Sequence, residues 1–136
     1  MLHRSTSLRT LSATVLVTAV TAGSLASLAA PADAKGREVI HRGSCSGASD
    51  WKLKVKADDG RLEVEGQVDT PRVGRTWTWR LVHDGRVVAK GTRVTKAPSG
   101  SVTVRRLMAN HAGTDVVTLR ARNPRNGERC VGTVRF

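Results

Sequence analysis

The sequence contains no tyrosine, one phenylalanine and two cysteines. It has only 11 Asp and Glu residues, compared with 23 Arg and Lys. Two cysteines alone are too few to hold a structural zinc ion. No long apolar run follows residue 34, which excludes a bundle of membrane helices. A chain of 136 residues is also too short for a multidomain enzyme. Patterned apolar residues nevertheless argue against disorder, so we expect a single folded domain.

Residues 1–34 have the layout of a secretory signal peptide. Arg4 and Arg9 form a weakly basic start, residues 11–30 are mostly apolar, and Ala32-Asp33-Ala34 offers a cleavage site before Lys35. The alternative is an uncleaved membrane anchor, but threonines and serines interrupt the apolar run. We predict export, no membrane insertion after cleavage, and a mature chain with 21 basic and 10 acidic residues. The predicted domains are a signal peptide (1–34), an extended N-terminal arm (35–50) and a β-sandwich (51–136).

Cys45 and Cys130 both lie beyond the predicted cleavage site. An even number of cysteines in a small exported domain indicates a disulfide, here closing a loop of about 85 residues. Two free thiols and an intermolecular bridge are the alternatives.

The remainder of the sequence predicts an all-β fold, because short alternating runs rich in Val, Thr and Trp are separated by Gly, Asp and Asn. Seven strands are expected, at 51–57, 61–69, 76–82, 87–94, 101–107, 115–122 and 129–135. A two-residue turn at Asp59-Gly60 pairs opposite charges on one face and apolar groups on the other. The predicted pairs are Lys54 with Glu65, Lys56 with Glu63, Val55 with Val64 and Trp51 with Val68. A similar turn at Asn126-Gly127 would place Leu119 opposite Val134 and Cys130 opposite Asn123, whereas the turn at Asp84-Gly85 permits two registers.

Residues 110–121, Asn-His-Ala-Gly-Thr-Asp-Val-Val-Thr-Leu-Arg-Ala, resemble the corner that leads into strand F of immunoglobulin-like and fibronectin-type-III-like domains. This resemblance implies a single antiparallel β-sandwich of about seven strands, closed by Cys45–Cys130, because the starts of strands A and G share one end of such a sandwich. The chain has neither the tyrosine corner nor the disulfide between strands B and F. In composition and leader it also resembles small secreted proteins of high-GC Gram-positive bacteria, which implies no activity.

The aromatic and histidine residues give no clear sign of a binding or catalytic site. Alternation places the three tryptophans, Trp51, Trp77 and Trp79, on apolar faces, which favours the core over a sugar-binding platform. The histidines at 41, 83 and 111 lack the spacing of a metal motif, and we expect surface or loop positions for them; a metal site would require two of them to meet an Asp at one end of the fold. Asp115 is expected to brace the corner before the sixth strand. No nucleophile–base or paired-carboxylate arrangement is visible, so we expect no enzyme activity, no cofactor and no metal.

The basic residues are the most informative feature of the sequence for function. If the third, sixth and seventh predicted strands are neighbours, their outward positions hold arginines and threonines but no acidic residue. Such a surface suits phosphate, sulfate or carboxylate groups. The candidate contact residues are Arg80, Arg120, Arg122 and Arg135, with Arg125 and Arg129 at the rim. The alternative is a generic basic surface that serves solubility alone.

The sequence therefore predicts a secreted, monomeric, non-catalytic binding or accessory module at or near the cell wall. Its partners would be wall polyanions, extracellular nucleic acid or an acidic protein surface. Sequence-specific nucleic-acid recognition is not expected, because the chain offers no helix for the major groove and no exposed aromatic side chains. A secreted inhibitor that binds one protein through residues 95–100 or 108–114 is the first alternative, and a small secreted hydrolase is the second.

Overall fold

The computed structural model describes residues 36–136, so the predicted signal peptide lies outside the described residues. Within this range the chain forms eight antiparallel strands. The strands are β1 (Glu38–Ser44), β2 (Asp50–Asp58), β3 (Arg61–Asp69), β4 (Thr76–His83), β5 (Arg86–Val94), β6 (Ser101–Ala109), β7 (Val116–Arg122) and β8 (Arg129–Arg135). No helix able to cross a membrane is present in this part of the chain.

The strands form two four-stranded sheets, with the orders β1-β2-β3-β6 and β5-β4-β7-β8. This all-β, two-sheet architecture agrees with the predicted β-sandwich. The structure adds one strand to the seven predicted: β1 lies in the segment predicted as an extended arm and pairs along its length with β2. Pairing with β2 satisfies backbone groups that an isolated arm would leave to water.

The register of the β2–β3 hairpin confirms the prediction. Lys54 faces Glu65, Val55 faces Val64 and Trp51 faces Val68. Asp59 and Gly60 both have positive φ, at 47° and 76°, as a tight two-residue turn of this kind requires. The local charge and apolar pattern therefore fixed this register.

The β7–β8 hairpin differs from the prediction by two residues. Leu119 faces Gly132, and Cys130 faces Ala121 rather than Asn123. The reason is a four-residue loop, in which the Asn123 carbonyl accepts the amide of Gly127 at 2.8 Å while its side-chain Oδ1 accepts the amide of Arg125 at 3.0 Å. A shift of two residues leaves every side chain on its predicted face of the sheet.

Alternate residues of both sheets meet in a single core. Its fully buried members include Leu53, Leu62, Trp77, Leu81 and Leu119. The indole of Trp51 packs into space left by two glycines: a Cβ on Gly43 or on Gly132 would lie within 2.7 Å or 2.3 Å of its ring atoms. Gly43 belongs to the sheet of Trp51 and Gly132 to the opposite sheet, so this ring joins the two layers.

One disulfide links Cys45 to Cys130, as predicted, with 4.3 Å between the Cα atoms. It ties the segment between β1 and β2 to the start of β8. The contact is reinforced by the backbone amide of Ser46, which donates to the Arg129 carbonyl at 2.8 Å. Disulfides are typical of proteins from oxidising compartments.

Candidate functional site

The outward side of the sheet β5-β4-β7-β8 carries a group of cations in two adjacent rows. Arg80 lies between Lys90 on β5 and Arg120 on β7, and Arg122 lies between Thr78 on β4 and Arg129 on β8. We call this group the basic face; its members are Arg80, Lys90, Arg120, Arg122 and Arg129. All five side chains are exposed.

The two sheets differ sharply in their charge. Strands β4, β5, β7 and β8 contain eight Arg or Lys residues and no Asp or Glu. Strands β1, β2, β3 and β6 contain seven Arg or Lys residues and six Asp or Glu. The strands of the sheet β1-β2-β3-β6 are therefore nearly balanced in charge, while the charged side chains on the strands of the sheet β5-β4-β7-β8 are all positive.

No member of the basic face forms an ion pair with a carboxylate anywhere in residues 36–136. Instead, Arg80 is directly opposite both Lys90 and Arg120, and Arg122 is directly opposite Arg129. Like charges in directly opposed positions destabilise a sheet, because their Cβ atoms are only about 5 Å apart. A bound anion would relieve this repulsion.

The six arginines predicted as a contact surface do not all lie together. Arg80, Arg120, Arg122 and Arg129 are contiguous. Arg135 is exposed and faces Val116 near the other end of β8. Arg125 lies in the β7–β8 loop, beside a cleft at the disulfide end of the fold that Arg72 and Arg75 also line.

Lys90 belongs to the basic face but was not among the predicted residues. Its position depends on a register shift in the β4–β5 pair between Leu81 and Val82. Both central residues of the connecting turn, Asp84 and Gly85, have positive φ, at 47° and 82°. The sequence permitted two registers here, and only the fold selects the one that places Lys90 opposite Arg80.

On the other sheet Glu65 pairs with three cations. Its carboxylate accepts a hydrogen bond from Nε of Arg105 at 2.8 Å and lies 3.1 Å from Nζ of Lys52 and 3.8 Å from Nζ of Lys54. Burial raises the pKa of Glu65, but the hydrogen bonds from Arg105 and Lys52 outweigh it, and the net pKa is below the ordinary value. The centre of this sheet surface therefore holds a carboxylate paired with cations, which the basic face lacks.

A second group of polar side chains gathers at the opposite end of the sheet from the disulfide. Nε2 of His83 donates to Oδ1 of Asp115 at 2.5 Å, and Nδ1 of His111 donates to Oδ2 of Asp84 at 2.8 Å. The two imidazole rings stack with centroids 4.6 Å apart and planes 6° apart. We call these four residues the His–Asp cluster.

The His–Asp cluster corrects the expectation that His83 is a surface or loop residue. His83 is the last inward position of β4, two residues after Leu81, and is only 5% exposed. In the sequence, the inward position of His83 was indicated by the strand alternation Trp77, Trp79, Leu81, His83. His111 is exposed as expected, and so is His41, whose Nδ1 donates to the Thr133 carbonyl at 2.7 Å.

Backbone contacts hold both carboxylates of the cluster in place. The amide of Val116 donates to Oδ1 of Asp84 at 2.8 Å, and this bond, with that from His111, lowers the pKa of Asp84. Asp115 is paired through its amide and carbonyl with Phe136, and its Oδ1 also accepts the His111 amide at 3.3 Å. Asp115 thus braces the corner, as predicted. Two imidazoles and two carboxylates, with one ligand atom from each within 4.8 Å of the others, could hold a metal ion.

The tryptophans do not form a sugar-binding platform. Trp77 is fully buried, and Trp51 and Trp79 are partly buried against the core. This placement agrees with the prediction from strand alternation.

Comparisons of the chain with protein-family models, with characterised proteins and with solved structures found no match.

Proposed function

We propose that the protein is an exported, non-catalytic binding module that binds polyanionic polymers at or near the cell wall through its basic face. The observation that carries this proposal is the set of five exposed cations that lie opposite one another with no carboxylate partner among the described residues. Guanidinium groups donate paired hydrogen bonds to phosphate, sulfate and carboxylate oxygens. Threonine hydroxyls at Thr78 and Thr92 extend the same surface.

A repeating polymer suits this surface better than a single small anion. The cations occupy an extended sheet face rather than a closed pocket, and successive cross-strand positions are spaced by about 5 Å. A polymer with regularly spaced charges can contact several of them at once and release counterions from each contact. We expect recognition of backbone charge without sequence specificity, because the face presents no exposed aromatic side chain for base stacking.

We also propose that the scaffold is immunoglobulin-like. The order of its strands supports this proposal. With β2 as strand A, the sheets have the orders A-B-E and C′-C-F-G, and β1 is an added strand beside A. Immunoglobulin-like domains commonly serve as binding modules, but a fold alone assigns no activity.

The test compares two charge reversals of equal size. Arg120→Glu with Arg122→Glu alters the basic face, and Arg42→Glu with Arg106→Glu changes the net charge equally on the other sheet. All four residues are exposed. Lys54 is unsuitable as a control, because a glutamate there would lie against Glu65. Each protein is applied to purified cell walls, a heparin-like matrix and duplex DNA over a range of salt concentrations.

We expect the logarithm of the wild-type binding constant to fall linearly with the logarithm of the salt concentration. On duplex DNA the slope should be about −4 if four to five phosphates are contacted. The Arg120/Arg122 variant should lose most of its retention on at least one matrix, and the Arg42/Arg106 variant should lose much less. Equal losses would mean that net charge alone matters and would refute the basic face as a site. Tight one-to-one binding to a protein that persists in high salt would favour the inhibitor alternative instead.

A further inference from the structure

We propose that His83, Asp84, His111 and Asp115 form a binding site for a divalent transition-metal cation, namely Zn²⁺. This site lies apart from the basic face and does not depend on the proposed function. It differs from the expectation, drawn from sequence spacing, that the chain holds no metal. Two segments that are distant in sequence bring the four residues together: the end of β4 with the turn that follows it, and the β6–β7 connection.

Two of the donor-atom distances have the spacing of a tetrahedral metal site, and the other two are shorter because they are hydrogen bonds. Nε2 of His83 lies 2.5 Å from Oδ1 of Asp115 and 3.4 Å from Oδ2 of Asp84. Nδ1 of His111 lies 2.8 Å from Oδ2 of Asp84 and 3.5 Å from Oδ1 of Asp115. Around zinc, with bonds of about 2.0–2.1 Å, the ligand atoms of a tetrahedron are roughly 3.3 Å apart. Small side-chain movements would therefore suffice to surround an ion.

A buried carboxylate oxygen gives a second, independent indication. Asp115 is 1% exposed, and its Oδ2 has no hydrogen-bond partner within residues 36–136. Native structures rarely leave a buried carboxylate oxygen without a compensating group, because losing its hydration is costly. A cation bound through Oδ1 would balance the charge that the Asp115 carboxylate shares over both oxygens, whereas hydrogen bonds to Oδ1 leave Oδ2 without a partner.

The ligand set selects the class of metal. Imidazole nitrogens favour zinc and its transition-metal neighbours, whereas Mg²⁺ and Ca²⁺ prefer sites made entirely of oxygen. With neutral imidazoles, the two carboxylates carry two negative charges, which match one divalent ion. The outer contacts are also of the kind that orient metal ligands, since the Val116 amide occupies Oδ1 of Asp84 and leaves Oδ2 toward the histidines.

The site has a buried side and an open side. His83 and Asp115 form its floor, while the side chain of His111 is 54% exposed and that of Asp84 is 35% exposed. An ion can therefore enter from solvent past His111 and Asp84. On binding, each ligating nitrogen loses to water the proton that it donates to a carboxylate, and the other nitrogen of the ring takes up a proton from water, so that the ring is neutral with its single proton on the nitrogen that does not bind the ion.

Two variants on the open side test the proposal without disturbing the core. Asp84→Asn keeps a residue type that tolerates the positive φ of 47°, and His111→Ala removes an exposed ring. His41→Ala is the matched control, because His41 is exposed and lies outside the cluster. The purified, oxidised full chain is stripped with a chelator and dialysed, and circular dichroism in metal-free buffer verifies folding of each variant.

Calorimetric titration with ZnCl₂ should show one ion bound per wild-type chain and per His41→Ala chain. Asp84→Asn and His111→Ala should each weaken binding by about tenfold or more. Zinc should also shift the ring proton resonances of His83 and His111 but leave those of His41 unchanged. Absence of saturable binding to the wild type, or equal binding by all four proteins, would overturn the proposal and leave the cluster as a set of hydrogen bonds.

Discussion

Nε2 of His83 and Oδ1 of Asp115 lie 2.5 Å apart, and the two residues are 5% and 1% exposed. They are 32 residues apart in sequence and meet because β4 pairs with β7. His83 is opposite Val117, the second residue after Asp115. This contact connects the end of one strand to the corner that begins another, and it sets the shape of the His–Asp cluster.

Removing the Asp115 side chain should destabilise the protein. Asp115→Ala leaves the buried nitrogen of His83 without its acceptor, so we expect a loss of about 1–3 kcal/mol in the free energy of unfolding. Urea denaturation in chelator-containing buffer measures this loss without any contribution from metal. Thr114→Ala, at an exposed neighbouring position, should change stability by less than about 0.5 kcal/mol. Equal midpoints for the two variants would show that the His83–Asp115 contact contributes nothing.

Glu65 should contribute stability that depends on pH. Its folded-state pKa is below the ordinary value of 4.5, so its contribution is complete above that value and is lost as pH falls through the lowered pKa. Glu65→Gln should cost about 1 kcal/mol at pH 7, since exposed Arg105 is partly screened by water. The difference should shrink in more acidic buffer.

The control for Glu65 is Glu63→Gln, on the same strand and the same outward side, where no ion pair occurs within the described residues. Urea midpoints are compared from pH 3 to pH 7. If the urea midpoints of the wild type and Glu65→Gln differ by the same amount across this range, Glu65 is not the ionised partner of Lys52, Lys54 and Arg105.

Gly132 should not tolerate a side chain. A Cβ at this position would lie 2.3 Å from Cε3 and Cζ3 of Trp51, and the rigid indole has little freedom to move away. We expect Gly132→Ala to lower the free energy of unfolding by about 1–3 kcal/mol, as overpacked cores do. Thr133→Ala, at the adjacent exposed position, serves as the control. Full stability of Gly132→Ala would mean that the two sheets separate easily near Trp51.

Loss of the disulfide should destabilise the domain strongly. A loop of 85 residues corresponds to about 4–5 kcal/mol in the chain-entropy description. The double variant Cys45→Ala, Cys130→Ala isolates this effect, because neither thiol remains to react. Thermal unfolding of the variant is compared with that of the oxidised protein. An unchanged melting temperature would show that the hydrogen bond between Ser46 and Arg129 already holds this end of the sandwich.

Local pattern was sufficient to predict the first hairpin but not the last. Around Asp59-Gly60 the charges select one register, because a slip of two residues would place Lys56 opposite Arg61 or Asp58 opposite Glu63. Around Asn126-Gly127, a shift of two residues leaves every side chain on its predicted face, and the pattern cannot distinguish the two registers. The hydrogen bonds made by Asn123 decide between them.

Sequence alone determined the all-β class, the buried faces of the tryptophans and the pairing of Cys45 with Cys130, because alternation and turn residues act over short distances and two cysteines permit one intramolecular bridge. Only the tertiary structure decided that Lys90 joins the arginines and that two histidines meet two aspartates. These groupings depend on which strands are neighbours and on the β4–β5 register, and strand order arises from packing between residues far apart in the chain. The sequence therefore contains the residues of each candidate site, but the order of the strands in the sheet is what brings them together.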